Sequence, residues 1–205
     1  MRIHVGILAL ALGGFAAAQT PAVNEQAIVR MARTIQREIL TLPEYGVFDS
    51  LRFSFKGDTV ILRGNASRPI LKSSAENVTK RVEGVEKVDN QIEVLPLSPM
   101  DDQIRLRAYV AIYGHPALSR FNPNRGTPLF MSRISALTGI TNDPPFGNHP
   151  VHIIVKNGNI TLEGVLPTSG DRTIAELQAN GVSGAFSVTN NIELEESMRF
   201  KKPKK

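Results

Sequence analysis

Two stretches decide the fold, Lys56–Val94 (KGDTVILRGNASRPILKSSAENVTKRVEGVEKVDNQIEV) and Lys156–Leu194 (KNGNITLEGVLPTSGDRTIAELQANGVSGAFSVTNNIEL), because they are one pattern written twice. A shift of 100 positions lays Lys56, Leu62, Gly64, Ala75, Glu76, Val82, Gly84, Val88, Asn90, Ile92 and Glu93 on Lys156, Leu162, Gly164, Ala175, Glu176, Val182, Gly184, Val188, Asn190, Ile192 and Glu193, with no gap. Val60 meets Ile160 and Val94 meets Leu194, so apolar character persists where identity does not. A repeat of this length is a structural unit duplicated. Its shared positions offer no catalytic set, which points to a binding module rather than an enzyme.

Working outward, each copy reads as helix, strand, strand, helix, strand. In the first, Ile28, Met31, Ala32, Ile35, Ile39 and Leu42 recur at helical spacing, with Asn24 as N-cap and Pro43 and Gly46 as the stop. Leu51, Phe53 and Phe55 alternate with polar residues, Gly57-Asp58 turns the chain, and Val60 and Leu62 return it as a hairpin closed by Gly64. Ile70, Leu71, Ala75, Val78 and Val82 form a second helical stripe, and Val85–Val94 a last strand. The second copy begins with a helix capped by Asp101 or Asp102 and running to Tyr113. Val151, Ile153 and Val155 alternate up to Asn157-Gly158, a turn pair that tolerates positive φ at both positions. Ile174, Ala175 and Leu177 mark the second helix, and Phe186–Leu194 the last strand. The copies differ by an insert at 115–149, rich in proline, with Leu129, Phe130, Met131, Ile134 and Leu137 spaced for a short helix that packs over an exposed surface.

The chain has 205 residues and no cysteine, which excludes disulfides, thiolate metal sites and a lipoprotein anchor. Arg2, the apolar run Val5–Leu12 and the small residues Ala16, Ala17 and Ala18 read as a signal peptide at 1–18, too short to anchor in a bilayer. That reading sends the mature chain to an exported, soluble location. The net charge of +5 is concentrated at the ends. Arg2 and the five basic residues of a tail at 197–205 (Arg199, Lys201, Lys202, Lys204, Lys205) taken from 24 leave 18, against 19 acidic residues. The body therefore carries no face of the kind that tracks a nucleic acid.

The segment Gly57–Gly64, then Val82-Glu83-Gly84-Val85, then Val88-Asp89-Asn90-Gln91-Ile92 resembles the BON domain. So does Asn157–Gly164 with Val188-Thr189-Asn190-Asn191-Ile192, although Ala185 stands where the family usually has valine. The resemblance implies an α+β fold of two BON domains, at 22–96 and 101–195, each a three-stranded mixed sheet with two helices packed on one face in the order αββαβ. It is similar to the tandem-BON proteins of the bacterial periplasm, the osmotically inducible kind among them. What it implies is a periplasmic, non-enzymatic role in envelope maintenance under stress, with phospholipid as the partner and no cofactor. Gly64 and Gly164 match the family's glycines and read as structural, keeping side chains out of a strand-to-helix turn.

Chemistry-bearing residues are few. His149 and His152 are three apart, but Pro150 intervenes and a strand starting at Val151 would turn them to opposite faces, so no metal site follows. There is no phosphate loop, nucleophile elbow or HExxH motif. A hydrolase acting on the envelope is the least supported reading. The first helices say more. With Ile28 laid on Ile104, the outer face of the first carries Arg30, Arg33 and Arg37, and that of the second carries Leu106, Tyr109, Val110 and Tyr113. The arginines and the basic tail suit an anionic phospholipid or envelope polymer. The apolar face must be covered by the insert, the other repeat, a second chain or lipid. As a contact for a partner chain it supports the alternative reading, a protein-interaction or chaperone-like module.

Overall fold

The computed structural model describes residues 25–125, 140–141, 144–145 and 147–199. The expected signal segment, the Asn24 cap, the helix expected near Leu129–Leu137 and Lys201, Lys202, Lys204 and Lys205 lie outside them.

The first repeat runs α1 (Glu25–Leu40), β1 (Ser50–Lys56), β2 (Thr59–Ala66), α2 (Pro69–Lys80), β3 (Lys87–Asn90) and β4 (Glu93–Val94). The second runs α3 (Pro99–Gly114), a 3-10 turn (Ser119–Phe121), β5 (Val151–Lys156), β6 (Asn159–Leu166), α4 (Ser169–Asn180), β7 (Ser187–Leu194) and a terminal α5 (Glu195–Arg199). In both, the central strand pairs antiparallel with the strand before it and parallel with the strand after the second helix. The expected αββαβ order is present twice. Phe53 pairs with Leu62, and Ile153 with Leu162, at matching places in the two sheets. The last strand of the first repeat is broken. Asn90 turns its side-chain oxygen onto the Ile92 amide, and pairing resumes at Asn65–Glu93.

The two copies bury the same positions. Leu71, Ala75, Thr79, Val82 and Ile92 are buried in one, and Asp171, Ala175, Ala179, Val182 and Ile192 in the other. Asn90 and Asn190 each donate to a glutamate of the preceding helix, Glu76 and Glu176, at 2.9 Å. These shared residues hold a helix against a strand; that is why they are shared.

Several expectations are corrected. Gly64 and Gly164 do not sit at a strand-to-helix turn. They lie inside β2 and β6 with φ of +116° and +129°, and a Cβ there would collide with the carbonyl oxygen of Ser50 at the start of β1 or of Pro150 just before β5. α3 starts at Pro99, with Ser98 as N-cap accepting from the Asp101 amide. Asp101 instead turns its carboxylate onto the Asn157 and Gly158 amides, at 2.9 and 2.8 Å, and pins the β5–β6 hairpin to the helix start. That turn has positive φ at both residues, as its sequence requires. Ile28, Ile70 and Leu177, read as core positions, are exposed, as is Phe186, which precedes β7.

The repeats meet through the sheet faces that carry no helices. On β1, Leu51, Phe53 and Phe55 pack into the first core, so Ser50 and Arg52 point the other way. Ser50 donates a short hydrogen bond to Glu163, and Arg52 pairs with the same carboxylate at 3.1 Å. Lys156 reaches Glu93 at 2.5 Å. At the open edge of β5, the Ile153 amide donates to the Val47 carbonyl at 2.7 Å, and Val47 and Phe48 are buried in the core of the second repeat.

Candidate functional site

α1 presents the first expected surface. Arg30, Arg33 and Arg37 are exposed on its outer side, and Arg37 pairs with Glu38 at 3.2 Å. At 100° per residue they share that side with Val29 and Leu40, which are 42% and 43% exposed. Among the described residues of this arc none is acidic, because Glu38 projects toward the flank. The Arg199 side chain lies outside the described residues.

The expected apolar face of α3 is largely closed within the chain. The Tyr113 hydroxyl donates to the Val151 carbonyl at 2.6 Å and accepts from the Val151 amide at 3.0 Å, and burial pushes its pKa far up. Tyr109 stacks among Phe48, Tyr113 and His149 and bonds Asn122 and Asn124. Leu106 is half-buried, and Val110 alone of the four stays exposed, at 41%. The insert covers this side together with the first repeat. Its described ends are tied down by Arg120, which pairs with Asp171 at 2.5 Å, and by Thr141, which bonds Asp102 and buried Arg105. Arg105 also donates to Asp102 at 2.6 Å and to the Val155 carbonyl at 2.7 Å, which engages both terminal nitrogens, while its Nε is buried without a hydrogen-bond partner among the described residues.

Where the repeats join, a cleft of about 320 Å³ opens between the end of α1, the loop to β1, the start of α2 and the last residues of the insert. Its apolar walls are Leu40, Leu42, Pro43, Pro144 and Pro145, and its polar side chains are Tyr45, Arg68, Asn148, His149 and His152. The two histidines reach the same cleft because His149 precedes β5, so the strand-alternation argument does not govern it. His149 Nδ1 lies 3.0 Å from the Gly147 carbonyl and His152 Nδ1 lies 3.2 Å from the Gly46 carbonyl. A carbonyl only accepts, so both rings carry their proton on Nδ1 and leave Nε2 as an acceptor. His152 Nε2 accepts from the Tyr45 hydroxyl at 3.4 Å. His149 Nε2 is buried and has no hydrogen-bond partner among the described residues.

Burial holds both rings neutral. It brings the His149 pKa down to about 4. It also lowers that of His152, against the opposing pull of the Gly46 and Asp49 backbone and of Glu163. Arg68 donates to the Glu44 carbonyl at 2.8 Å, while its Nε is buried without a partner among the described residues. Behind it, Asp49 accepts from the Gly46 and Ser67 amides at 2.8 and 2.6 Å. Burial raises the Asp49 pKa, and those two amides and the Arg68 charge pull against it. No group of three metal-ligating side chains occurs among the described residues. Sequence reading missed Tyr45, Val47, Phe48 and Arg68. The available signal was a short connection, PEYGVFDS at 43–50, too apolar to be a solvated loop.

The family model described as the BON domain matches residues 47–96 and 137–196. The chain belongs to the BON-domain family. Its two matches are the two repeats, which makes it a tandem BON protein with an internal duplication. No curated protein matches the chain by sequence. The BON pair is similar to solved structures of CdsD, described as a structural protein of the Type III secretion system of Chlamydia trachomatis. One has 17% identity and a TM-score of 0.25, covering 87% of this chain and 100% of that one. Another, described as the C-terminal domain, has 17% identity and a TM-score of 0.27, covering 81% and 98%. Similarity at these values carries no argument about role.

Proposed function

We propose that this BON pair is a non-enzymatic binding protein of the periplasm that contacts anionic phospholipid or envelope polymer and serves envelope maintenance. The supporting observation is the outer side of α1, where Arg30, Arg33 and Arg37 stand with exposed Val29 and Leu40. Cations beside apolar side chains suit a headgroup region, each basic residue adding about 1 kcal/mol near an anionic leaflet. The basic tail adds to that attraction, and the leader-like residues 1–18 support export. No helix among the described residues is long and apolar enough to cross a membrane, so contact of this kind is peripheral. The acidic residues that would suggest catalysis have other work: Asp101 holds a hairpin, Asp171 an insert, Glu163 the repeat junction.

Co-sedimentation with vesicles tests this reading. Binding should require anionic lipid and weaken as salt rises through the range that shortens the Debye length below about 8 Å. Equal binding to zwitterionic vesicles, or none to either, overturns it.

One observation favours a protein-interaction or chaperone-like role instead. Leu97 and Phe186 are 85% and 78% exposed, and the Phe186 ring lies over the Asn157-Gly158 turn that Asp101 holds. Suppression of client aggregation without vesicle binding would support that role.

A further inference from the structure

We propose that Asn157 is a site of spontaneous deamidation, and that Asp101 is the residue that keeps it closed in the folded chain. This goes beyond the vesicle reading and uses none of its surface.

The chemistry needs no partner but water. In an Asn-Gly pair the glycine nitrogen gives up its proton to solvent base and attacks the asparagine Cγ. A C–N bond forms, the side-chain nitrogen takes up a proton and leaves as ammonia, and a five-membered succinimide remains. Water then opens that ring at either carbonyl, giving aspartate or isoaspartate. No electrons change hands. Glycine is the successor that admits the attack most readily, because no side chain blocks it and its backbone turns freely.

The chain carries two such pairs, Asn157-Gly158 and Asn180-Gly181, and both asparagines are exposed. Their glycine amides are held differently. The Gly158 amide donates to Asp101 Oδ1 at 2.8 Å, and the Asn157 amide to Oδ2 at 2.9 Å. Asp101 and Gly158 are both buried. An N–H bonded to a buried anion gives up its proton less readily, so the attacking nitrogen is withheld. Ring closure also requires the 157–158 peptide to rotate. That rotation would break both bonds to Asp101 and the one that the Asn157 carbonyl accepts from Asn159 Nδ2 at 3.1 Å. The Gly158 carbonyl is tied as well, to the Phe186 amide at 2.8 Å. Gly181 is exposed, and its amide donates to the neutral Leu177 carbonyl at 3.2 Å, at the end of α4 where helices fray.

The product undoes the fit that guards the site. Isoaspartate lengthens the main chain by one methylene, in a turn whose two residues both need positive φ. The two amides then no longer converge on one carboxylate. Either product also places a second negative charge on the residue whose amide the buried Asp101 holds. Modification at 157 therefore releases the β5–β6 hairpin from the start of α3.

The experiment incubates the full chain at neutral pH and follows both asparagines by peptide mapping, with isoaspartyl peptides resolved by mass spectrometry. Asn180 is the internal control for unfolding. In the folded wild type Asn157 should be the slower of the two, and in urea the two rates should converge. Asp101→Asn should speed Asn157 about tenfold or more, the rate equivalent of one hydrogen bond to a charged group, and leave Asn180 unchanged. Acceleration of neither asparagine overturns the proposal. If both rise together, the variant has unfolded and the wild-type comparison decides alone. There, an Asn157 rate equal to or above that of Asn180 overturns the proposal.

Discussion

Gly64 and Gly164 show how a single missing side chain sets a sheet. Each lies mid-strand at positive φ, with the carbonyl of Ser50 or Pro150 where a Cβ would stand. Alanine would be strained twice, by backbone conformation and by collision with main chain that cannot swing away. G64A and G164A should each destabilise the protein by about 3 kcal/mol or more, read as a lowered midpoint in urea at unchanged slope. His149 makes a second expectation at this scale. Its folded pKa of about 4 lies below the ordinary 6.5, so the unfolded chain binds the proton more readily. Its contribution is therefore fully present above pH 6.5 and is lost as pH falls from 6.5 to 4, to a limit of about 3 kcal/mol. H149F should flatten that part of the stability-versus-pH curve; an unchanged slope would place the effect elsewhere.

At the scale of elements, the loop between α1 and β1 belongs to both repeats. Tyr45 bonds His152, Val47 adds one rung to the edge of β5, and Phe48 fills the second core against Tyr109. F48A should cost about 3–5 kcal/mol, and the loosening should appear in α3 and β5 rather than in the sheet of the repeat that carries residue 48. Amide exchange across the two sheets reads this directly. The elements themselves were legible in the sequence, because strand alternation, the Asn157-Gly158 turn and the 100-residue shift are all local or periodic signals. The role of the loop was not. Its partner, β5, begins more than a hundred residues later, and no periodicity links Phe48 to Tyr109. The same blindness misplaced Asp101. A carboxylate near a helix start reads as a cap, and nothing in the chain order says that a distant hairpin brings it two better donors.

For the whole molecule, duplication explains the shape and the departures from it explain the join. Arg63 in the first copy bonds exposed Gln91, whereas its counterpart Glu163 is buried at the junction under Ser50 and Arg52. E163L should leave the Ser50 hydroxyl unpaired and loosen the junction, at a cost of about 1–3 kcal/mol. Two resolved unfolding transitions in place of one would show that the repeats had been uncoupled. The outer face of α3 could be read as apolar from sequence, but what covers it could not, since the cover comes from Phe48, Asn122, Asn124 and His149, four residues from three segments. The face left available is that of α1.

Hydrogen exchange on the full chain, with and without anionic vesicles, tests this assignment most directly. Slowed exchange along Glu25–Leu40, abolished by R30Q/R33Q/R37Q and by high salt, is the expected result. Protection confined to residues 97–100 and 183–187, with α1 unchanged, would contradict it.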